Sequence, residues 1–223
     1  MIIKNFYPPT ITKTYFTIGR SNNNDYIVDG VNDEIQFQQA LNAIERNGGG
    51  VLKLTNNENQ KYIFENYSDW DIGGGDIFNK VHCTIPNNCT IEGINREVSI
   101  IESQTDAISV ITFGNKSGKA GAKNIKLSNF RLKALSQAPP VVNQFFHNGV
   151  TFFCKGEAGN VFEDLWIANY DGAGLEFKPV STGFFNEYRD TIIRRVHTDP
   201  DTVGAGIAFG DMASDVLVDN YTG

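Results

Sequence analysis

The chain has 223 residues, 40% hydrophobic, 20% charged and 12% aromatic, which suffices for one large domain or two small ones with a sizeable core. A formal net charge of −7 argues against nucleic acid as the main partner, since neutralising phosphates takes a basic face and Lys and Arg are scattered apart from Arg194-Arg195. No apolar run reaches membrane-spanning length, so no membrane partner is expected, and MIIKNFYPP lacks a signal-peptide core.

Residues 1–24 mix Pro8-Pro9, Thr and Asn with a short alternation at Tyr15-Phe16-Thr17-Ile18, and read as an extended arm with one strand. A domain then runs over 25–223. Asp29-Gly30 marks a turn, and the spacing predicts a helix over 33–46. Asp33 and Gln36 form a D-x-x-Q capping box, while Phe37, Ala40, Leu41 and Ile44 fall on one face. Gly48-Gly49-Gly50 stops the helix, because glycine takes the left-handed cap without a Cβ clash. Val51, Leu52 and Leu54 follow as a strand, and coils are expected from about 51 onward. Residues 55–80 read as a loop-rich insertion around Tyr62-Ile63-Phe64.

Three cysteines, Cys83, Cys89 and Cys154, have no C-x-x-C spacing, and one of them must stay unpaired. Cys89 alternates with apolar residues in TIPNNCTIEGI, which predicts a small core side chain rather than part of a disulfide framework.

From residue 81 the chain repeats itself. CTIEGINREVSII, NIKLSNFRLKA, NVFEDLWIANYDGAGLEF, TIIRRVHTD and DVLVDNYTG each carry two alternating apolar positions and then a polar or small corner. The corners are Gly93, Asn129, Asp164, Arg195 and Asn220, separated by 36, 35, 31 and 25 residues. Two places before each stands Ile91, Leu127, Phe162, Ile193 or Val218, all apolar. Such unequal repeats with short strands predict a solenoid of stacked coils, from which loops of any length can leave at a corner. A two-sheet sandwich is the competing fold.

DGVNDEIQFQQALNAIERNGGGVLKL resembles the opening module of right-handed parallel β-helix proteins of the pectate-lyase-like superfamily, and IPNNCTIEGINREVSII resembles their first coil. The chain departs from that pattern at Thr55, where proline is usual, and in an Asn-rich insertion before Tyr62. The resemblance implies an all-β, right-handed, single-stranded parallel β-helix, capped at its N-terminal end by one amphipathic α-helix. The superfamily holds polysaccharide lyases, galacturonan hydrolases, uronan epimerases and phage tailspikes or appendages, and the fold does not select among them.

In a stack, equivalent positions on successive coils are neighbours. GAGIAFGD repeats GAGLEFKP, and the expectation drawn from it pairs Glu176 with Gly210 and leaves Asp211 one step on. Glu176 and Asp211, with Lys178 and Arg195, are therefore the candidate catalytic group. Two acids suit attack on a glycosidic bond, and a carboxylate beside Lys or Arg suits abstraction of the C5 proton of a uronic acid. Against the Y-G-x-D-P-H-type motif of the epimerases and some lyases, Ala173 replaces the aromatic, Glu176 the Asp and Lys178 the His. The alternative is that Glu176 and Asp211 are solvated strand-end residues.

Trp166, Tyr170 and Tyr188 offer rings for stacking on sugars, with packing in the core or against a loop as the equal alternative, and Arg194, His197, Asp199 and Asp201 complete the candidate binding set. HTDPD at 197–201 is first of all a turn. No cofactor and no resident metal are expected, although its acids suit a calcium ion. The expected partner is a polysaccharide, within a homotrimer or larger virion assembly. The expected location is a virion tail or the extracellular space. DVLVDNYTG ends at a corner with nothing over it, which reads as the N-terminal part of a longer protein or as an end that an oligomer closes. The competing readings are a free lyase or hydrolase acting on an acidic polysaccharide, and a structural β-helix without activity.

Overall fold

The computed structural model describes residues 14–57, 59–69, 80–104, 110–118, 122–134, 148–154, 156–170, 172–178, 187–199, 205–209 and 216–223. Among these, one helix, Glu34–Arg46, stands against twenty-two short strands. The fold is mostly β, with the strands in four sheets.

The eight-stranded sheet runs Tyr26–Ile27, Tyr15–Gly19, Gly50–Leu54, Cys89–Glu92, Lys126–Ser128, Val161–Glu163, Thr191–Arg194, Val216–Asp219. The five-stranded sheet runs Tyr62–Phe64, Ile100–Ser103, Arg131–Ala134, Trp166–Ala168, His197–Asp199. The six-stranded sheet contains Lys80–Thr84, Val110–Gly118, Asn148–Cys154, Ala173–Lys178 and Ala205–Phe209, with Ser68–Asp69 at its edge. Ala122–Lys123, Gly156–Ala158 and Glu187–Arg189 form the smallest sheet. From residue 89 onward the chain therefore visits the eight-, five- and six-stranded sheets in turn and returns to the first.

Every pairing among these strands is parallel except Ser68–Asp69 with Val81 and Lys80. A sandwich of hairpins would be antiparallel, so that competing fold is set aside. The register agrees with the repeats residue by residue. Ile91 pairs with Leu127, Leu127 with Phe162, Phe162 with Ile193, and Ile193 with Val218.

The corners stack as well. Gly93 N–H donates to Ser128 O, Asn129 to Glu163 O, Asp164 to Arg194 O and Arg195 to Asp219 O. Asn129, Asp164, Arg195 and Asn220 all hold φ between 51° and 61°. That left-handed conformation is one Asn and Asp tolerate well, which explains the corner composition and makes Arg195 the unusual member. Gly93 is small for a different reason: a Cβ there would lie 2.1 Å from Asn129 O.

The strand within the N-terminal arm, Tyr15–Gly19, pairs with Gly50–Leu54 and so belongs to the eight-stranded sheet. The helix starts at Glu34, one residue later than its predicted boundary. Asp33 is not the capping-box residue expected, as its side chain makes no bond to the helix's own amides. Its carboxylate instead accepts N–H from Gly30 (2.9 Å), Asp29 (3.2 Å) and Ile63 (2.9 Å). Three amides outside the helix outcompete the local cap because Asp33 is fully buried between turn and strand. Burial pushes its pKa up, an effect partly offset by those three hydrogen bonds. At the other end Gly48 takes φ 77°, the left-handed turn expected of the glycine run.

Phe37, Ala40, Leu41 and Ile44 are all fully buried and share one core with Leu52, Ile91, Leu127 and Phe162. Phe37 meets Tyr62 and Phe64 edge-on at 5.1 and 5.0 Å. Each such large apolar side chain contributes roughly 1.5–3 kcal/mol through its burial. Cys89 is fully buried, and burial pushes its thiol up to about 12, as befits a small core residue. Tyr62 is buried with its hydroxyl donating to Ile18 O and accepting from the amides of Thr55 and Asn56.

Candidate functional site

The outer side chains of the five-stranded sheet form a row. Register pairs Ile100 with Arg131, Arg131 with Trp166, and Trp166 with His197, one strand spacing of about 4.8 Å each. The Arg131 guanidinium lies 3.6 Å from the Trp166 ring centroid, a cation–π stack. His197 meets the same ring edge-on at 5.6 Å.

Asp199 joins them from the same strand as His197. One carboxylate oxygen accepts Trp166 Nε1–H at 2.8 Å, and the other lies 2.9 Å from His197 Nε2. His197 Nδ1 is 2.8 Å from Thr222 Oγ1, so its ring is held on both sides. The side chains of His197 and Asp199 remain 34% and 49% exposed, leaving polar edges in solvent. One row away, Glu102 pairs with Lys61 at 2.7 Å and Lys133 at 3.5 Å. Burial alone would raise Glu102, but the hydrogen bonds from Lys61 and Gln104 and the lysine charges outweigh it and hold the carboxyl below its usual range.

Arg194 and Arg195 stand elsewhere. Arg194 lies on the eight-stranded sheet and Arg195 at the corner after it, both turned to acids at the end of the neighbouring strand Val161–Glu163. Glu163 is held by Lys126 and by Arg194, whose Nε donates at 2.6 Å. Arg195 binds both oxygens of Asp164, each at 2.7 Å. Burial would raise Glu163, yet the Lys126 and Arg194 bonds and charges lower it; for Asp164 the Arg195 bond is the main cause of lowering.

Glu176 lies on the six-stranded sheet. It pairs with Ala208, two residues short of the expected Gly210, because GAGLEF stacks directly on GAGIAF with Ala173 on Ala205 and Phe177 on Phe209. Its carboxylate accepts Asn148 Nδ2–H at 2.6 Å and Thr151 Oγ1–H at 3.2 Å. Asn148 Oδ1 in turn accepts the Ala173 amide at 2.8 Å. Asp211, Asp201 and the side chains of Lys178 and Tyr188 lie outside the described residues.

Of the two roles open to Tyr170, a stacking ring or a core side chain, the structure shows the second, with the residue 2% exposed. Its hydroxyl lies 2.9 Å from Thr112 Oγ1, which lets the ring serve as core rather than platform. The structure thus gathers Trp166, His197 and Asp199, and assigns Arg194, Arg195 and Glu176 to other sheets and corners. Arg131 was missed, although it precedes Trp166 by 35 residues, the interval already seen between corners. Among the described residues no group of three or more His, Cys, Asp and Glu side chains is placed to hold a metal ion. Among them, too, no helix is long and apolar enough to cross a membrane.

No protein-family model and no curated protein matches the chain. Among solved structures, a protein of Parabacteroides merdae provisionally described as a glycosyl hydrolase is similar at 10% identity and TM-score 0.40, over 88% of this chain and 92% of that one.

Proposed function

We propose that the stacked parallel sheets wind as a right-handed single-stranded β-helix whose five-stranded face binds a polysaccharide. Right-handedness is supported by the near-universal hand of parallel crossover connections. The observation that carries the binding reading is the row Arg131–Trp166–His197 with Asp199 at its side. Planar groups repeated along the stack suit consecutive sugar units, and the exposed edges of His197 and Asp199 offer hydrogen bonds to hydroxyls. Lys61, Lys133 and Arg131 on the same face suit a polymer bearing some acidic sugars.

The reading is of a binder rather than a catalyst. A general acid needs a carboxyl raised towards neutral pH. On the proposed face, burial would raise Glu102, but Lys61, Gln104 and Lys133 hold it below its usual range. A phage-type tail appendage is the setting carried forward from the resemblance, and for it the purified chain should have the solution mass of a trimer; a monomer removes that setting.

Affinity electrophoresis through gels cast with uronan and neutral polysaccharides tests the binding. Retardation is expected in at least one gel, with Trp166→Ala and His197→Ala migrating as in polymer-free gel. Equal retardation of both variants would overturn the face as the site. Ultraviolet absorbance of an unsaturated uronate appearing during incubation would overturn the binder-only reading.

A further inference from the structure

A cleft of about 300 Å³ lies between the outer flank of the helix and the stretch 84–88 that leads into the first full coil. Gln38, Asn42 and Glu45 line it from the helix, and Asn87, Asn88 and Asn115 from the opposite side. Five of these six side chains are amides. Among the described residues no lysine, arginine or histidine lines the cleft, and Glu45 is the one charged group. Those residues offer an anion nothing to neutralise it, and a single exposed carboxylate is a poor cation site.

The amides are fixed before any ligand arrives. Gln38 donates to Asn42 Oδ1 at 2.8 Å and accepts the Thr84 amide at 2.7 Å. Asn87 Oδ1 accepts the Lys123 amide at 3.1 Å, and Asn88 Oδ1 accepts Asn124 Nδ2–H at 2.9 Å. Asn115 is only 3% exposed and donates to Ile85 O at 2.6 Å. Its Oδ1 accepts no hydrogen bond. A buried acceptor left without a donor costs about 1–3 kcal/mol, and this one is closed to solvent, so Asn115 braces the cleft rather than facing into it. The Ile85 bond also fixes the amide's sense, since a flip would set two oxygens against each other.

A second hollow of about 360 Å³ adjoins the first across Gln38 and Asn42, and Ile35 and Tyr67 give it an apolar lining. Amides that present donor and acceptor side by side, next to apolar surface, match the vicinal hydroxyls and C–H faces of a sugar. The volume is at the small end of ligand pockets, which span roughly 300–1,000 Å³, and holds one or two sugar rings.

We infer that this amide-lined cleft under the helix binds an uncharged saccharide unit, its hydroxyls meeting the solvent-reaching amides of Asn42, Asn87 and Asn88. The site shares no residue with the Trp166 face and stands or falls without it.

Saturation-transfer difference NMR on the full chain with glucose, galactose and N-acetylglucosamine tests the inference. Transfer to at least one sugar is expected. Asn42→Leu, at an exposed helical position where leucine favours the helix, should keep the unfolding midpoint and weaken binding at least about tenfold. Asn115→Ala, which removes the donor that ties Ile85 O and Asn87 Oδ1 together, should also weaken it, and Trp166→Ala should leave it unchanged. No transfer to any of the three sugars, or binding that survives Asn42→Leu, would overturn it. So would binding lost in Trp166→Ala but kept in Asn42→Leu, which would move the sugar to the other face.

Discussion

The carboxylate of Asp33 accepts the backbone amide of Ile63 at 2.9 Å, tying the start of the helix to the first strand of the five-stranded sheet. The same carboxylate holds the Asp29-Gly30 turn. Asp33→Ala strands three amides and should cost about 1–3 kcal/mol. The unfolding midpoint should then fall by several degrees, at about 2–4 °C per kcal/mol for a chain of this size. Asp33→Asn, with one acceptor oxygen, should lose less than Asp33→Ala; equal losses would show that the clamp contributes little.

Thr55 occupies the position where the resembling family carries proline. Here its N–H donates both to Ile18 O (3.0 Å) and to the Tyr62 hydroxyl (2.9 Å). Proline would delete that donor, while Ile18 O keeps the Tyr62 hydroxyl and that hydroxyl keeps the Asn56 amide. Thr55→Pro, although a move towards the family pattern, should therefore cost about one hydrogen bond, roughly 0.5–1.5 kcal/mol in denaturant unfolding. An unchanged or raised midpoint would refute this account of the departure.

Phe162 sits 5.6 Å from Phe152 and 5.8 Å from Phe177, ring centroid to centroid, at the centre of the core. Its strand is paired on both sides, Phe162 with Leu127 and with Ile193, which limits how far the backbone can move into the space its loss would leave. Phe162→Ala should cost about 3–5 kcal/mol in denaturant unfolding, and Phe162→Leu clearly less. Similar costs for the two would mean that the stack closes the cavity by itself.

Acid sensitivity should come from Glu102, Glu163 and Asp164. Their folded pKa values lie below the ordinary carboxylate values of 4.5 for Glu and 3.8 for Asp. Folding therefore gains from their ionised forms above those values, and that gain drains away as pH falls through them. Thermal midpoints measured from neutral pH downward should drop most steeply below about 4.5. Glu163→Gln should lower the midpoint at neutral pH and flatten the acid limb; a parallel, uniformly shifted curve would assign the acid loss to other groups.

The row of apolar residues Ile91, Leu127, Phe162, Ile193 and Val218 was legible from repeat spacing, and so was the buried helix face of Phe37, Ala40, Leu41 and Ile44. Both rest on periodicities carried by neighbouring residues, two for a strand and 3.6 for a helix. Trp166 and His197 were likewise in register before any coordinates, and Arg131 could have been added by the same spacing. Glu176 went wrong by two residues through misaligning two copies of one motif, which the pairing of Ala173 with Ala205 corrects.

Tyr170 shows a different limit. Sequence left this aromatic equally open to surface and core, and in the structure its buried hydroxyl is partnered by Thr112, 58 residues earlier in the chain.

Local sequence thus specified the helix, the short strands and the order in which apolar rows stack, because each depends on side chains a few positions apart. Which sheet a charged residue occupies was decided by the number of residues spent on each turn of the stack. That count puts Arg195 at a corner with Asp164, Glu176 beside Asn148, and Trp166 between Arg131 and His197. Asp33 followed the same logic, as amides distant in sequence but close in space outcompeted the helix's own for its two oxygens.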